Sequence, residues 1–145
     1  MLIRFALFAS LAGWLTACDG TPAAPDATPA DASIVPDAAP RATVTDTRTL
    51  QPGELAEGTW NAGPGDRVVI HLATATADLD WNIHGHANGG TQTVAEDYRQ
   101  AAATYEFNPT AQAEWWLLLR NSGAAPITVA VTMDLYGDAA WNGWQ

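Results

Sequence analysis

The chain has 145 residues, of which sixteen are acidic and six basic, so its formal net charge at pH 7 is −10. All six basic residues are arginines. Nucleic acids and anionic membrane surfaces are bound by Lys and Arg side chains that neutralise phosphates, so this charge balance excludes a nucleic-acid-binding function. A single cysteine also excludes an intrachain disulfide framework, and a domain of about 100 residues can hold together by its apolar core alone.

The first eighteen residues have the layout of a secretory signal. Arg4 supplies one positive charge, an apolar run covers residues 5–15, and small residues precede Cys18. The apolar run is too short to cross a bilayer core, which needs ~20 helical residues. A buried core helix is the alternative, but the early arginine and the abrupt change to proline-rich sequence argue against it.

The segment Leu15, Thr16, Ala17 and Cys18 resembles the lipobox of bacterial lipoproteins. The resemblance implies that residues 1–17 are a signal peptide and that Cys18 carries a diacylglycerol, with further acylation such as palmitate at the new amino terminus. Two or three acyl chains, at ~0.8 kcal/mol per buried methylene, make a stable anchor. We therefore expect a protein attached to the inner or outer membrane, with its domain outside the cytoplasm. Asp19 adds a hint, because in some diderm bacteria an aspartate at this place retains lipoproteins in the inner membrane.

Residues 18–41 form a predicted tether between the lipid and the domain. Five prolines are separated mainly by alanine and aspartate, and they are Pro22, Pro25, Pro29, Pro36 and Pro40. Proline lacks an N–H donor, and the few large apolar residues cannot offset the entropy of ordering this segment. In an extended polyproline state, at ~3.1 Å per residue, the tether reaches on the order of 70 Å.

The domain, residues 42–145, has the period-two pattern of strands. Leu79, Trp81 and Ile83 alternate with polar residues, and so do the apolar residues from 127 to 135. Turn residues punctuate the pattern at intervals of about ten, which predicts an all-β antiparallel sandwich of about eight strands. The predicted strands are 42–50, 55–61, 67–72, 78–84, 93–99, 102–107, 114–120 and 127–135.

Residues 91–104 are open to two interpretations. Thr93 and Glu96 have the spacing of a helical capping box, and the residues after them are mostly good helix formers. The β-rich sequence on either side favours two short strands instead.

The order of turns and aromatic residues between positions 50 and 136 resembles small β-sandwiches of the GOLD type and of the bacterial pre-peptidase C-terminal type. The resemblance is carried by the turn at Pro52, the strand around Trp81, the Gly89–Gly90 turn, Phe107 with Pro109, and the strand 115–121. It implies an accessory, non-catalytic module, and it identifies no functional residue.

Catalytic side chains are scarce, and we predict that the chain is not an enzyme. Ser122 is the one serine after the tether, and no Gly-x-Ser-x-Gly motif surrounds it. Cys18 is used for lipid attachment, and the chain has no lysine. Asp78 and Asp80 share a strand face and form the remaining carboxylate pair, but solvated acids are common on an acidic sandwich.

Four polar residues on one predicted strand suggest a metal site. Asp80, Asn82, His84 and His86 fall on the same face if the strand runs straight through Gly85, with neighbours roughly 6.5–7 Å apart. His84 and His86 could then share copper or zinc, with Asp80 or His71 as a further ligand. The alternative is that both histidines are solvated residues at the end of a loop, and we expect no other cofactor.

The tail, residues 137–145, carries Trp141 and Trp144. Exposed tryptophans could stack on sugar rings or anchor a protein partner. The alternative is that the tail folds back and covers an open edge of the sandwich. The other tryptophans of the domain, Trp60, Trp81, Trp115 and Trp116, are predicted to be core residues.

The sequence thus predicts a membrane-anchored envelope lipoprotein whose sandwich is a non-catalytic binding or accessory module. Its expected partners are the membrane, through the lipid, and an envelope protein or glycan. Copper or zinc binding through His84 and His86 is the first alternative, and carbohydrate binding through Trp141 and Trp144 is the second.

Overall fold

A computed structural model of the chain describes residues 39–87 and 90–145. The predicted signal peptide, Cys18 and nearly all of the predicted tether lie outside these residues. The described part consists of strands and connecting turns without a helix, so it contains no helix able to cross a membrane.

Nine strands make up the described part, one more than predicted. They are β1 (Ala42–Leu50), β2 (Leu55–Ala62), β3 (Arg67–Ala73), β4 (Leu79–Ala87), β5 (Gly90–Gln100), β6 (Ala102–Phe107), β7 (Ala113–Asn121), β8 (Ile127–Tyr136) and β9 (Ala140–Trp144). The ambiguous region 91–104 is β-structure, since β5 and β6 occupy it. The ninth strand is the tail.

The strands form two antiparallel sheets, which confirms the predicted all-β sandwich. One sheet has four strands in the order β1-β8-β3-β6, and the other has five in the order β5-β4-β7-β2-β9. Alternate residues of each strand face the space between the sheets, as the period-two pattern requires. Trp60, Leu117 and Val129 are examples of the fully buried side chains.

The tail strand β9 pairs with β2 and closes one edge of the five-stranded sheet. Gly58 of β2 makes this possible, because a Cβ at that position would overlap the indole of Trp141. Trp141 and Trp144 are half-buried against the core, with ring centroids 5.5 Å apart, and the guanidinium of Arg48 lies 4.8 Å from the Trp144 ring. The tail therefore contributes to the packing of the sandwich.

Asn121 joins three pieces of backbone at the end of β7. Its buried Nδ2 donates to the carbonyl oxygens of Leu50 (3.0 Å) and Ala125 (2.8 Å), while its Oδ1 accepts from the N–H of Gly123 (2.8 Å). A buried amide with three such partners fixes the β7–β8 turn and the end of β1 together.

Asn121→Ala should lower the free energy of unfolding by about 2–4 kcal/mol, because it leaves two carbonyls and one N–H without a partner. Urea denaturation followed by tryptophan fluorescence measures the loss. Asn142→Ala is the matched control, since that amide is exposed and its loss should cost less than about 1 kcal/mol. Equal losses in the two variants would contradict this role of Asn121.

Candidate functional site

The two outer faces of the sandwich differ sharply in composition. On the four-stranded sheet, threonines of β1 stand opposite short or polar residues of β8, and the pairs are Thr43–Asp134, Thr45–Thr132, Thr47–Ala130 and Thr49–Thr128. The exposed large apolar residues of the described chain are Leu55, Val94 and Tyr98, and all three belong to the five-stranded sheet. An interaction site is therefore expected on that sheet.

We call seven residues on the outer surface of the five-stranded sheet the aromatic face. They are Leu55 on β2, His84 and His86 on β4, Tyr98 on β5, and Trp116, Leu118 and Arg120 on β7. Their side chains share one side of the sheet because the register pairs Leu55 with Arg120 and His84 with Trp116. The carboxylates of Glu57, Asp80 and Glu96 lie on the same surface.

A shallow groove of about 210 Å³ crosses the aromatic face. Leu55, Tyr98, Leu118 and Arg120 line it, together with Asp80. Leu55 is 55% exposed and Tyr98 is 59% exposed, so two large apolar side chains of the groove are open to solvent. A sheet face of a lone sandwich normally carries polar residues, and clustered exposed apolar side chains mark interaction sites.

Arg120 is the described arginine without a carboxylate within 4.0 Å. The other four described arginines have such partners, and the pairs are Arg41–Asp138 (2.9 Å), Arg48–Asp46 (3.9 Å), Arg67–Glu106 (3.4 Å) and Arg99–Asp78 (3.6 Å). Arg120 is exposed, and Asp80 of β4 is its cross-strand neighbour on the same face.

Trp116 was expected in the core, and that expectation is wrong. The neighbouring residues Trp115, Leu117 and Leu119 point inward, so the alternation of β7 turns Trp116 outward, where it is half-buried. Its ring lies at a centroid distance of 6.1 Å from His84 with an interplanar angle of 17°, and 5.3 Å from His86. Trp60, Trp81 and Trp115 are buried, as predicted.

His84 is buried on this outer face, with 4% of its surface exposed. Its Nδ1 donates to Oδ1 of Asn82 at 2.7 Å, which in the neutral ring leaves the lone pair on Nε2. Nε2 lies 3.9 Å from Oε1 of Glu57 and makes no hydrogen bond at that distance. Burial lowers the pKa of His84 below its ordinary value of 6.5; the charge of His86 acts in the same direction, and Glu57 opposes both.

The structure brings only two of the four predicted metal ligands together. The rings of His84 and His86 are 5.1 Å apart. Asp80 is engaged elsewhere, since its Oδ1 accepts from the backbone N–H of Arg99 (2.9 Å) and the hydroxyl of Ser122 (3.0 Å). His71 lies on the other sheet, where its Nδ1 is 3.1 Å from Oγ1 of Thr104.

The described residues contain no group of three or more His, Cys, Asp or Glu side chains arranged to hold a metal ion. Copper or zinc binding by His84 and His86, with Asp80 or His71 as a further ligand, stays a prediction. Carbohydrate binding by Trp141 and Trp144 also stays a prediction. The sequence contains one signal for the aromatic face, the large apolar residues on both sides of the strand 115–119. That signal did not say which side of the strand faces outward.

Replacing His84 should reduce the pH dependence of stability. Because folding depresses the pKa of His84, this residue stabilises the fold above pH 6.5, and the contribution is lost as the pH falls below 6.5. In urea titrations, the free energy of unfolding of the wild-type chain should therefore fall more between pH 7.5 and pH 5.5 than that of His84→Gln. His71→Gln, on the other sheet, is the control and should follow the wild type; identical pH slopes for His84→Gln and the wild type would contradict the assignment.

No protein-family model matches this sequence, and no curated protein matches it significantly. The resemblance to GOLD and pre-peptidase C-terminal domains is therefore not supported by a family match. Similar folds do occur among solved structures. PliG of Aeromonas hydrophila, a periplasmic inhibitor of g-type lysozyme, superimposes with a TM-score of 0.51 and 8% identity, covering 64% of this chain and 85% of PliG.

The Yersinia pseudotuberculosis-derived mitogen superimposes with a TM-score of 0.53 and 15% identity, covering 68% of this chain and 88% of the mitogen. At these identities the likeness concerns the fold alone.

Proposed function

We propose that this chain is a lipid-anchored protein of the bacterial cell envelope that acts without catalysis, by binding a protein partner on its aromatic face. The observation that carries the proposal is the exposure of Leu55 and Tyr98 beside Leu118 and Arg120 in one groove. Burying such a patch against a partner removes apolar surface from water, at roughly 25 cal/mol per Å² before the costs of association.

The composition of the face favours a protein over a glycan. Tryptophan, tyrosine and arginine are the residue types that dominate binding energy at protein interfaces, and Trp116, Tyr98 and Arg120 supply one of each. Arg120 has no carboxylate partner in the described chain, so the partner would supply an aspartate, a glutamate or a terminal carboxylate there. The acidic surroundings would favour basic residues around that carboxylate.

The lipid anchor and the tether fit this role. An acylated Cys18 would hold the protein at a membrane, and residues 18–41 would let the domain search a radius on the order of 70 Å. The fold shared with a periplasmic lysozyme inhibitor gives further support, because that protein works outside the cytoplasm by acting on another protein.

Photo-crosslinking in living cells tests the partner surface. With p-benzoylphenylalanine in place of Tyr98 in the full lipidated chain, illumination should give one adduct of defined mass. The same photoprobe at His71, on the four-stranded sheet, should give none. Adding Arg120→Glu should reduce the yield of the Tyr98 adduct at least about tenfold, because the new glutamate would repel the carboxylate that the partner supplies at this position.

An equal adduct at His71, or an adduct that is indifferent to Arg120→Glu, would contradict the aromatic face as the docking surface. An assay of g-type lysozyme with the purified chain tests one specific partner. Inhibition that Arg120→Glu weakens would identify a lysozyme as the partner protein, whereas inhibition that ignores this variant would contradict the assigned surface.

Cys18→Ser should release the protein from membranes, because no acyl chain can be attached without the thiol. Fractionation of cells followed by immunoblotting measures the release. Near-ultraviolet circular dichroism of the released chain should show the same aromatic signals as the wild type, since the described domain contains no cysteine. Retention of Cys18→Ser in the membrane fraction would contradict the anchor.

A further inference from the structure

A second concave site lies at one end of the sandwich, away from the aromatic-face groove. A cavity of about 620 Å³ opens between the beginning of β5 and the segment 108–112 that connects β6 to β7. This volume is within the range typical of ligand sites. Gly85 borders it, and the Trp115 ring packs so close to Gly85 that a Cβ there would lie 2.9 Å from the ring.

Among the described residues, the lining of the cavity contains no carboxylate and no arginine. Its polar groups are amides, hydroxyls and one imidazole, including Gln92, Thr93 and Asn108, and its floor contains Phe107 and Trp115. The rest of the domain is acidic, with twelve carboxylic residues and five arginines from position 39 onward. Burying an unpaired charge among these groups would be costly, so the lining favours an uncharged occupant.

The cavity borders an open sheet edge. Among the described strands, β5 pairs with β4 alone, so no described strand pairs with the backbone N–H and C=O groups on its other side. Residues 90–93 pair regularly with β4 and carry no charge. Beyond them, Val94 has no pairing partner on β4, Glu96 and Asp97 are acidic, and Arg99 has a φ of 55°. Bulges, charges and irregular backbone protect a sheet edge from pairing with another strand. Only the first part of β5 is therefore free to accept another strand.

The aromatic floor does not favour a sugar. Stacking on a sugar ring needs an open aromatic face, but Phe107 is 3% exposed and Trp115 is 8% exposed. Their rings contact each other at a centroid distance of 4.8 Å, and Trp115 Nε1 donates to the carbonyl of Ala62. Such a floor offers apolar contact to a side chain rather than a stacking platform.

We propose that an extended segment of the protein partner adds as a strand to residues 90–93 of β5 and inserts one uncharged apolar side chain into the cavity. Main-chain hydrogen bonds along the edge provide affinity, and the cavity selects the side chain. The inference deepens the proposed function, and it rests on that function because it assumes that the partner is a protein. It adds a contact outside the aromatic-face groove, at a cavity that His86 of the aromatic face also borders.

The test uses the full chain in mild detergent and a fluorescein-labelled, end-blocked peptide, Thr-Val-Thr-Leu-Thr-Val. Fluorescence anisotropy should detect binding, and hydrogen exchange should slow at residues 90–93. N-methylation of alternate peptide nitrogens, or glutamate in place of the central leucine, should weaken binding at least about tenfold.

Two exposed positions test the cavity with little risk to the fold. Gln92→Glu adds a charge without a change in shape and should weaken binding at least about tenfold, while Gln51→Glu adds the same charge at a distant turn and should bind normally. Ala111→Phe narrows the cavity, so it should weaken the binding of the leucine-centred peptide and leave the binding of an alanine-centred peptide unchanged.

Several results would overturn the inference. Failure of the peptide to bind would do so, and so would binding that N-methylation or Gln92→Glu does not weaken. Displacement of the peptide by N,N′-diacetylchitobiose would indicate a sugar site instead. A dimer in light scattering that Gln92→Glu dissociates would indicate that a second copy of the chain occupies the edge. Leu55→Asp separates the two proposals, because it should abolish the Tyr98 crosslink and leave peptide binding intact. A retained crosslink without peptide binding would overturn only the strand addition.

Discussion

Aromatic rings that contact one another between the two sheets are the interaction on which the rest of the fold depends. Trp60 of β2 meets Phe107 of β6 edge to face at 5.9 Å, and Trp81 of β4 meets Tyr105 of β6 at 5.8 Å. The domain contains no cysteine, so apolar burial has to do what disulfides do in many exported domains. The inner faces are fully committed to this packing.

This commitment leaves the outer faces and the edges for function. The four-stranded sheet presents threonines and Asp134 on β1 and β8, which suit contact with water. The five-stranded sheet presents Leu55, Tyr98 and Trp116, and its edge strand β5 leads to a neutral cavity. A single domain thus has one face adapted to solvent and, on the other sheet, two neighbouring surfaces adapted to a partner.

The histidines illustrate how packing changes the meaning of a motif. The four residues Asp80, Asn82, His84 and His86 do share a face, because β4 stays in register with β7 through Gly85. The hydrogen bond from His84 to Asn82 and the engagement of Asp80 by Arg99 and Ser122 give these groups protein partners. Strand spacing predicts which side chains are neighbours, but the bonds they make depend on the adjacent strands.

The sequence by itself determined the all-β class and the approximate limits of eight strands, because alternation of apolar and polar residues has the period of a strand wherever one face is buried. It offered, as one of two alternatives, a tail that covers an open edge of the sandwich, as the tail does. It did not predict the strand β9 itself, since a short tail with two glycines has too few alternating residues to carry that signal.

Only the tertiary structure decided that Trp116 faces outward, that Arg120 has no described carboxylate within 4.0 Å and that β5 is an edge strand among the described strands. A central strand such as β7 has large residues on both faces, and the sequence cannot say which face is covered. That choice depends on where the second sheet packs, which is a long-range property of the fold.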